Sequence, residues 1–355
     1  MKILYGVQGT GHGHVVRSRE MVRELKARGH DVHCVLTARR QGSFPGMEVF
    51  EPCTVFRGFT GVAGGGRIRT VRTLFGLRIR RFFRDVRSFD PSGFDLAITD
   101  FEPATGWIAR RHGLPSVGLG HLYAYCYPVP VPRRSLPARL LLRAFIPIYT
   151  PVRTPIGINW HHFGTPSLPP TIPRDVRPDR ESRDDRVVVY LPGESEGQIL
   201  ALLAQLRDHH FYVYGRTAPR DEGNVHFRRY DREGFLGDLF QSCGVVANAG
   251  FSLASEALHL GKRILVRPVR RQPEQYLNGK LLERLRLGTV VSELTPQVLR
   301  SWLATPAPAP MRYPDVVRPF VEWIEHGNWN RPAELVRRVW SEVTWPPTSP
   351  SPLPL

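Results

Sequence analysis

The chain has 355 residues, 41% of them hydrophobic, and a formal net charge of +17. That length supports two domains of ordinary size, each with its own core. Four scattered cysteines (Cys34, Cys53, Cys126, Cys243) without a CxxC spacing leave no basis for a disulfide framework or a zinc knuckle, and no apolar run approaches the ~18 residues of a membrane span.

Residues 2–7 are an apolar run that predicts a strand, entered with no basic segment followed by an apolar one. No signal peptide is therefore expected, and the expected location is cytoplasmic, extending to the inner face of a membrane. Val15, Val16, Met21, Val22 and Leu25 recur at helical spacing over 14–28, and Gly29 ends that helix. Strands are predicted at 30–36 and 49–56, a helix over 67–88, a buried strand at 94–99 running into Asp100, a helix at 103–112 and a strand at 114–119. This β-α alternation predicts a parallel sheet covered on both faces.

Residues 166–186 are rich in proline and then in charge, the composition of a linker. The alternation then restarts. Strands are predicted at 187–191, 211–214, 225–228, 244–247, 263–267 and 289–291, and helices at 197–208, 234–242, 251–260 and 273–286. A Pro/Ala break at 305–310 precedes a helical region over about 313–342. The expected organisation is an N-terminal Rossmann-like domain (1–165), a linker (166–186), a second α/β domain (187–311), a helical segment packing back (312–345) and a disordered tail (346–355). No internal repeat of solenoid type is found.

The charge is mostly arginine, and it is clustered. From Gly66 to Arg87 the chain reads GRIRTVRTLFGLRIRRFFRDVR, with Asp85 its one acid. A second stretch, 133–153, sets Arg133, Arg134, Arg139 and Arg143 around Leu140, Leu141, Leu142, Phe145 and Ile146. Basic residues flanking bulky apolar ones suit an anionic membrane surface. Ordinary amphipathic helices read the same way, and nucleic acid is the less favoured partner.

Two glycine-containing turns, far apart in sequence, each follow a strand and open a helix. The first is Gly9-Thr10-Gly11-His12-Gly13-His14, continuing through Arg17 and Ser18; the second is Asn248-Ala249-Gly250-Phe251-Ser252, continuing through Glu256 and Ala257. Small residues there let a ligand approach the backbone, and the helix dipole favours an anion. The pattern GxGxGHxxRS in the first turn resembles the GT-B glycosyltransferases. So does the longer C-terminal run of Gly250, Ser252, Glu256-Ala257, Gly261, Pro268, Glu274-Gln275 and Asn278. Both are similar to prokaryotic relatives of the peptidoglycan lipid-intermediate N-acetylglucosaminyl transferase and to UDP-glucuronosyltransferase-like enzymes.

The resemblance implies two facing Rossmann-like domains with an interdomain cleft and a C-terminal helix crossing back. It implies an inverting transfer of a hexose-type sugar from a nucleotide diphosphate sugar, a UDP-sugar first, to an unknown hydroxyl acceptor that is lipid-linked or otherwise. Gly250, Phe251 and Ser252 would meet the diphosphate, Glu256 the ribose, and Glu274 with Gln275 the sugar hydroxyls. Gly193 and Ser195, in the loop Pro192-Gly193-Glu194-Ser195-Glu196-Gly197, would form a second phosphate-facing loop, although its two acids repel phosphate. His14 is the expected base, since histidine titrates near neutrality, and Asp100 would orient it. Gly11, Gly13 and Arg17 would face acceptor or phosphate. A His12-x-His14 metal site with Asp100 and Glu102 is the less favoured alternative, and no essential metal or cofactor is expected. A nucleotide-sugar 2-epimerase and a non-catalytic nucleotide-sugar or nucleic-acid binder are the other readings of the same fold.

Overall fold

The computed structural model describes residues 1–9, 12–37, 46–56, 71–177, 182–215 and 218–346; His12 and residues 71–78 are described by their backbone alone. Among these residues the strands form two seven-stranded sheets. The first contains β1 (Lys2–Gln8), β2 (Asp31–Thr37), β3 (Cys53–Phe56), β4 (Leu96–Asp100), β5 (Ser116–Gly120), β6 (Thr154–Ile158) and β7 (Ser167–Leu168). Their order is β3-β2-β1-β4-β5-β6-β7, with every pair parallel. The second contains β8 (Arg183–Tyr190), β9 (His210–Gly215), β10 (Arg220–Glu222), β11 (Val225–Arg229), β12 (Ser242–Ala247), β13 (Arg263–Val266) and β14 (Thr289–Val290). Their order is β10-β11-β9-β8-β12-β13-β14, parallel except for the β10–β11 edge. Strand order reverses at β1/β4 and again at β8/β12, and each reversal opens a crevice at the carboxyl ends of the strands.

The helices are α1 (His12–Ala27), α2 (Val71–Ser88), α3 (Pro103–His112), α4 (Leu136–Tyr149), α5 (Glu196–Leu203), α6 (Arg232–Gln241), α7 (Phe251–His259), α8 (Pro273–Arg284), α9 (Pro296–Leu303), α10 (Val317–Glu325) and α11 (Ala333–Ser341). Strands β1 and β4 are buried along nearly their whole length, as sheets covered on both faces require. Helix α3 starts at Pro103 because Glu102 caps it through the Ala104 and Thr105 N–H groups; it stops at Gly113, whose φ of 71° only glycine adopts readily.

Several expectations are corrected. Residues 49–56 are not one strand: a 3-10 turn (Met47–Phe50) precedes the short β3. The stretch expected as a linker contributes β7 to the first sheet, and β8 begins at Arg183, before the predicted 187. The helical region at 313–342 is two helices, α10 and α11, with a turn between them. They do cross back. Arg28, just past the end of α1, bonds Glu322 (3.1 Å) and Glu325 (2.8 Å), and Trp340 Nε1 donates to the Ser167 carbonyl (2.6 Å). The tail prediction falls, from residue 347 onward, outside the described residues.

The apolar core runs through both halves without a break, joining Ile158 and Trp160 to Phe251 and Leu277. Polar groups inside that junction are matched. Trp160 Nε1 donates to Ser255 Oγ (2.9 Å), and the His121 ring lies flat on Phe251, centroids 3.9 Å apart. Asn278 Oδ1 accepts from the Tyr125 hydroxyl (2.7 Å) and lies 2.7 Å from His121 Nε2, while its Nδ2 donates to the Ala249 carbonyl (2.9 Å). Asn278→Leu is expected to lower the denaturation midpoint sharply, since each buried group left unpaired costs about 1–3 kcal/mol. An unchanged midpoint in a urea titration would contradict that account of the junction.

Candidate functional site

The first crevice is built where α1 leaves β1. His14, Arg17 and Ser18 stand at i, i+3 and i+4, so all three share one helix face. That face meets Asp100, the last residue of β4, whose side chain is 1% exposed. Asp100 accepts from Arg17 Nε (3.1 Å) and Nη2 (2.5 Å) and from Ser18 Oγ (3.1 Å), and it lies 3.0 Å from His14 Nδ1. Burial alone would raise the Asp100 carboxyl; Arg17 and then His14 outweigh it and hold the group below the usual carboxylate range. His14 Nδ1 faces both the Asp100 carboxylate and, at 3.2 Å, the donor Arg17 Nη2; the tautomer with its proton on Nδ1, which the carboxylate favours, leaves Nε2 with a free lone pair, the arrangement a general base needs. The His14 side chain is 26% exposed, so it is open to the crevice.

The second crevice is a cleft of roughly 270 Å³ between the ends of β8 and β12. Its floor is the start of α7. Gly250 precedes the helix in extended conformation with no side-chain cap, and the first N–H groups of a helix have no intrahelical acceptor. Gly13 and Arg17 line the same cleft as Gly250, Phe251 and Ser252. A Cβ at Gly13 would collide with the Ser252 hydroxyl, so glycine there lets the two helix starts touch. Tyr190, Tyr230 and Phe235 form an aromatic wall, with centroids 5.3 to 6.2 Å apart.

Glu256 lies in the cleft one helical turn after Ser252, 6% exposed. Arg232 Nη1 reaches both its oxygens (3.1 and 3.3 Å) and, through Nε and Nη2, also binds Asp175 (3.1 and 3.0 Å). Burial raises the Glu256 carboxyl, and Arg232 is the chief opposing influence.

A family model described as glycosyl transferase family 1 matches residues 1–306. The chain belongs to glycosyl transferase family 1. Its fold is similar to that of the kitacinnamycin glycotransferase (17% identity, 95% of this chain and 98% of that one, TM-score 0.59). It is also similar to LpCGTa in complex with UDP (17%, 86% and 91%, TM-score 0.58) and to MurG of Acinetobacter baumannii (14%, 84% and 89%, TM-score 0.52). A sequence search of curated proteins finds no match. This glycosyltransferase has the GT-B architecture, two facing α/β sheets.

The glycosyltransferase brings His14, Arg17 and Asp100 together at the first crevice, and Gly13, Gly250, Phe251, Ser252, Glu256 and Gln275 around the second, whose wall Arg17 also joins. Arg17 is 7% exposed and spends its guanidinium on Asp100, so it is not an exposed helix arginine. Gln275 Oε1 accepts from the Val269 N–H (2.9 Å), which turns its carbonyl to the backbone. Glu274 is not on the cleft wall; its charge acts on His121 and Tyr125. Gly193 and Ser195 are not on the wall either. Pro192 is, and Ser195 caps α5 instead. The two acids of that loop are matched, Glu194 by Arg267 (2.6 Å) and Glu196 by Arg220 (3.0 Å). Glu102 is occupied by the cap of α3 and by the Thr37 hydroxyl, which removes it from the metal alternative. Gly11 and the His12 side chain lie outside the described residues. Sequence reasoning missed Arg232, Asp175 and the aromatic wall. One signal was present: Arg232 is a cation in the first turn of a helix, where the dipole disfavours it unless a carboxylate answers.

Proposed function

We propose that this glycosyltransferase moves a hexose-type sugar from a UDP-sugar to a hydroxyl acceptor with inversion at the anomeric carbon. The observation that carries the reading is the contact of Gly13 with Ser252, which sets the His14–Asp100 pair beside the open start of α7. His14 Nε2 takes the acceptor proton, and the oxygen attacks the anomeric carbon from the face opposite the diphosphate. The C–O bond to the diphosphate breaks, and the leaving charge falls on the α7 N–H groups, an electrostatic stabilisation fixed before reaction. Glu256 accepts the ribose hydroxyls, the wall of Tyr190, Tyr230 and Phe235 flanks the base, and Gln275, on the cleft wall, offers its side-chain amide to the sugar. The UDP bound to LpCGTa supports uridine as the nucleoside. With the helix dipole answering the diphosphate, the proposal requires no essential metal.

The proposed location is cytoplasmic, with an anionic membrane surface met through 133–153. No helix among the described residues is long and apolar enough to cross a membrane. The companion stretch, 67–87, does not support the membrane reading where its side chains are described. Phe82 and Val86 are buried, and Phe83 packs edge-on against Trp107 (5.1 Å). Calorimetric titration with UDP, GDP, dTDP and CMP, then with their sugars, tests the donor site. Micromolar binding of UDP is expected; a folded protein that binds none of them overturns the reading.

A further inference from the structure

Helix α4 is amphipathic in an unusual sense, because its apolar residues point both ways. Leu142 and Ile146 are buried, whereas Leu140, Leu141, Phe145 and Ile148 are 53%, 58%, 46% and 67% exposed. Leu141, Phe145 and Ile148 stand at i, i+4 and i+7, one stripe along the outer face. Apart from Met1, these four are the exposed large hydrophobic side chains of the described residues. A monomer in water has no use for such a stripe, so something of apolar character covers it.

The charge around the stripe selects the cover. No aspartate or glutamate occurs between Glu102 and Asp175, so neither α4 nor its flanks carries an acid. Arg133, Arg134 and Arg143 are exposed beside the stripe. A second copy would set this positive rim against itself around a two-fold axis, whereas an anionic bilayer offers hydrocarbon for the stripe and phosphate for the rim. The helix is held firmly for that task. Ser135 Oγ donates to the Tyr276 hydroxyl of α8 (3.1 Å), and Arg139 Nη1 donates to the Val129 carbonyl (3.0 Å).

The stripe also leads somewhere. Phe145 stacks on Tyr149 (5.1 Å), and Tyr149 stacks on Phe101 (5.1 Å). Phe101 follows Asp100 directly and adopts φ of 58°, a left-handed conformation that costs a bulky residue free energy. Three stacked rings therefore connect the exposed face of α4 to the His14–Asp100 crevice. We propose that the outer face of α4 docks on an anionic lipid bilayer and holds the mouth of that crevice at the membrane surface. This deepens the membrane reading above, on which it rests for its choice of occupant; it does not depend on the transfer reaction.

Vesicle co-sedimentation tests it, with phosphatidylcholine alone and with phosphatidylcholine containing phosphatidylglycerol. The wild type is expected to partition at least about tenfold more strongly onto the anionic vesicles and to leave them at high salt. R133Q/R134Q/R143Q should weaken binding by about fivefold per arginine, and L141S/F145S/I148S should abolish it. Retained UDP affinity identifies a variant that has folded. Phe145→Trp adds a readout that needs no loss of binding: brominated phosphatidylglycerol should quench its fluorescence. Equal binding of both vesicle types, an apolar variant that binds like the wild type, or an unquenched Trp would each overturn the proposal. So would a solution dimer, seen by light scattering, that the apolar substitutions dissociate. If the wild type binds vesicles but no nucleotide, the transfer reading fails and the docking surface stands.

Discussion

His14→Ala is expected to lower kcat by about 10²- to 10⁴-fold, the range supplied by a positioned general base. Diphosphate affinity should stay within about twofold of the wild type, because His14 meets the acceptor in the proposed reaction and the donor sits on α7. That split between chemistry and binding separates a catalytic His14 from one that merely props the loop, since a structural role would move both. Asp100→Asn is the less clean substitution. It leaves the Arg17 guanidinium, 7% exposed, without its carboxylate, and breaking a buried ion pair costs about 3–5 kcal/mol. A fall in Tm should therefore accompany its loss of activity. Steady-state kinetics of His14→Ala with kcat within tenfold of the wild type would remove His14 from the mechanism.

The second large effect is expected at Glu256 and takes the form of a pH dependence. Glu256→Ala should weaken UDP binding by about 10²-fold through loss of two charge-assisted hydrogen bonds to ribose. In the wild type, burial raises the Glu256 carboxyl above 4.5 and Arg232 opposes that rise. A raised value means that the folded protein favours the neutral acid. The carboxylate, the better acceptor, then fills only as pH rises through that value, so UDP affinity should increase with pH across a window above the ordinary carboxylate range. The linked stability runs the other way: it is complete below the unfolded value and is lost as pH rises through the folded one. Arg232→Met removes the main opposing charge and leaves Asp175, which raises Glu256 further. The affinity window should move to higher pH. Glu256→Gln should show no such window. Calorimetry at several pH values decides it, and an Arg232→Met curve that overlays the wild type would sink the argument.

The fold was legible where local pattern and tertiary outcome agree. Apolar runs predicted β1, β4 and β12, and Gly13, Gly250, Ser252 and Glu256 reached the cleft because turn chemistry and helical spacing are local properties. Strand β6 was not legible, since Thr154-Pro155-Ile156-Gly157-Ile158 carries two residues that ordinarily weaken a strand. The two arginine-rich stretches teach the sharper lesson. In sequence 67–87 and 133–153 look alike, yet Phe82 and Val86 are buried while Leu141, Phe145 and Ile148 face outward. Periodicity says which residues share a face; it does not say whether another helix, here α3 with Trp107, stands opposite to cover it. Arg232 was hidden for a related reason. Its partners, Asp175 and Glu256, are distant in sequence, so its place in the first turn of α6 calls for a carboxylate without saying which one answers.

The junction of His121, Tyr125 and Trp160 with Phe251, Ser255 and Asn278 has a practical consequence for anyone recombining such enzymes. A chimera that joins the first half of this chain to the second half of a relative would inherit one side of a buried hydrogen-bond set and half of an aromatic stack. It would be expected to misassemble even if each half folded. The six residues form a compatibility code that must travel as a group, so exchange of donor specificity is better attempted by grafting the wall of Tyr190, Tyr230 and Phe235, the proposed base site, than by swapping whole halves.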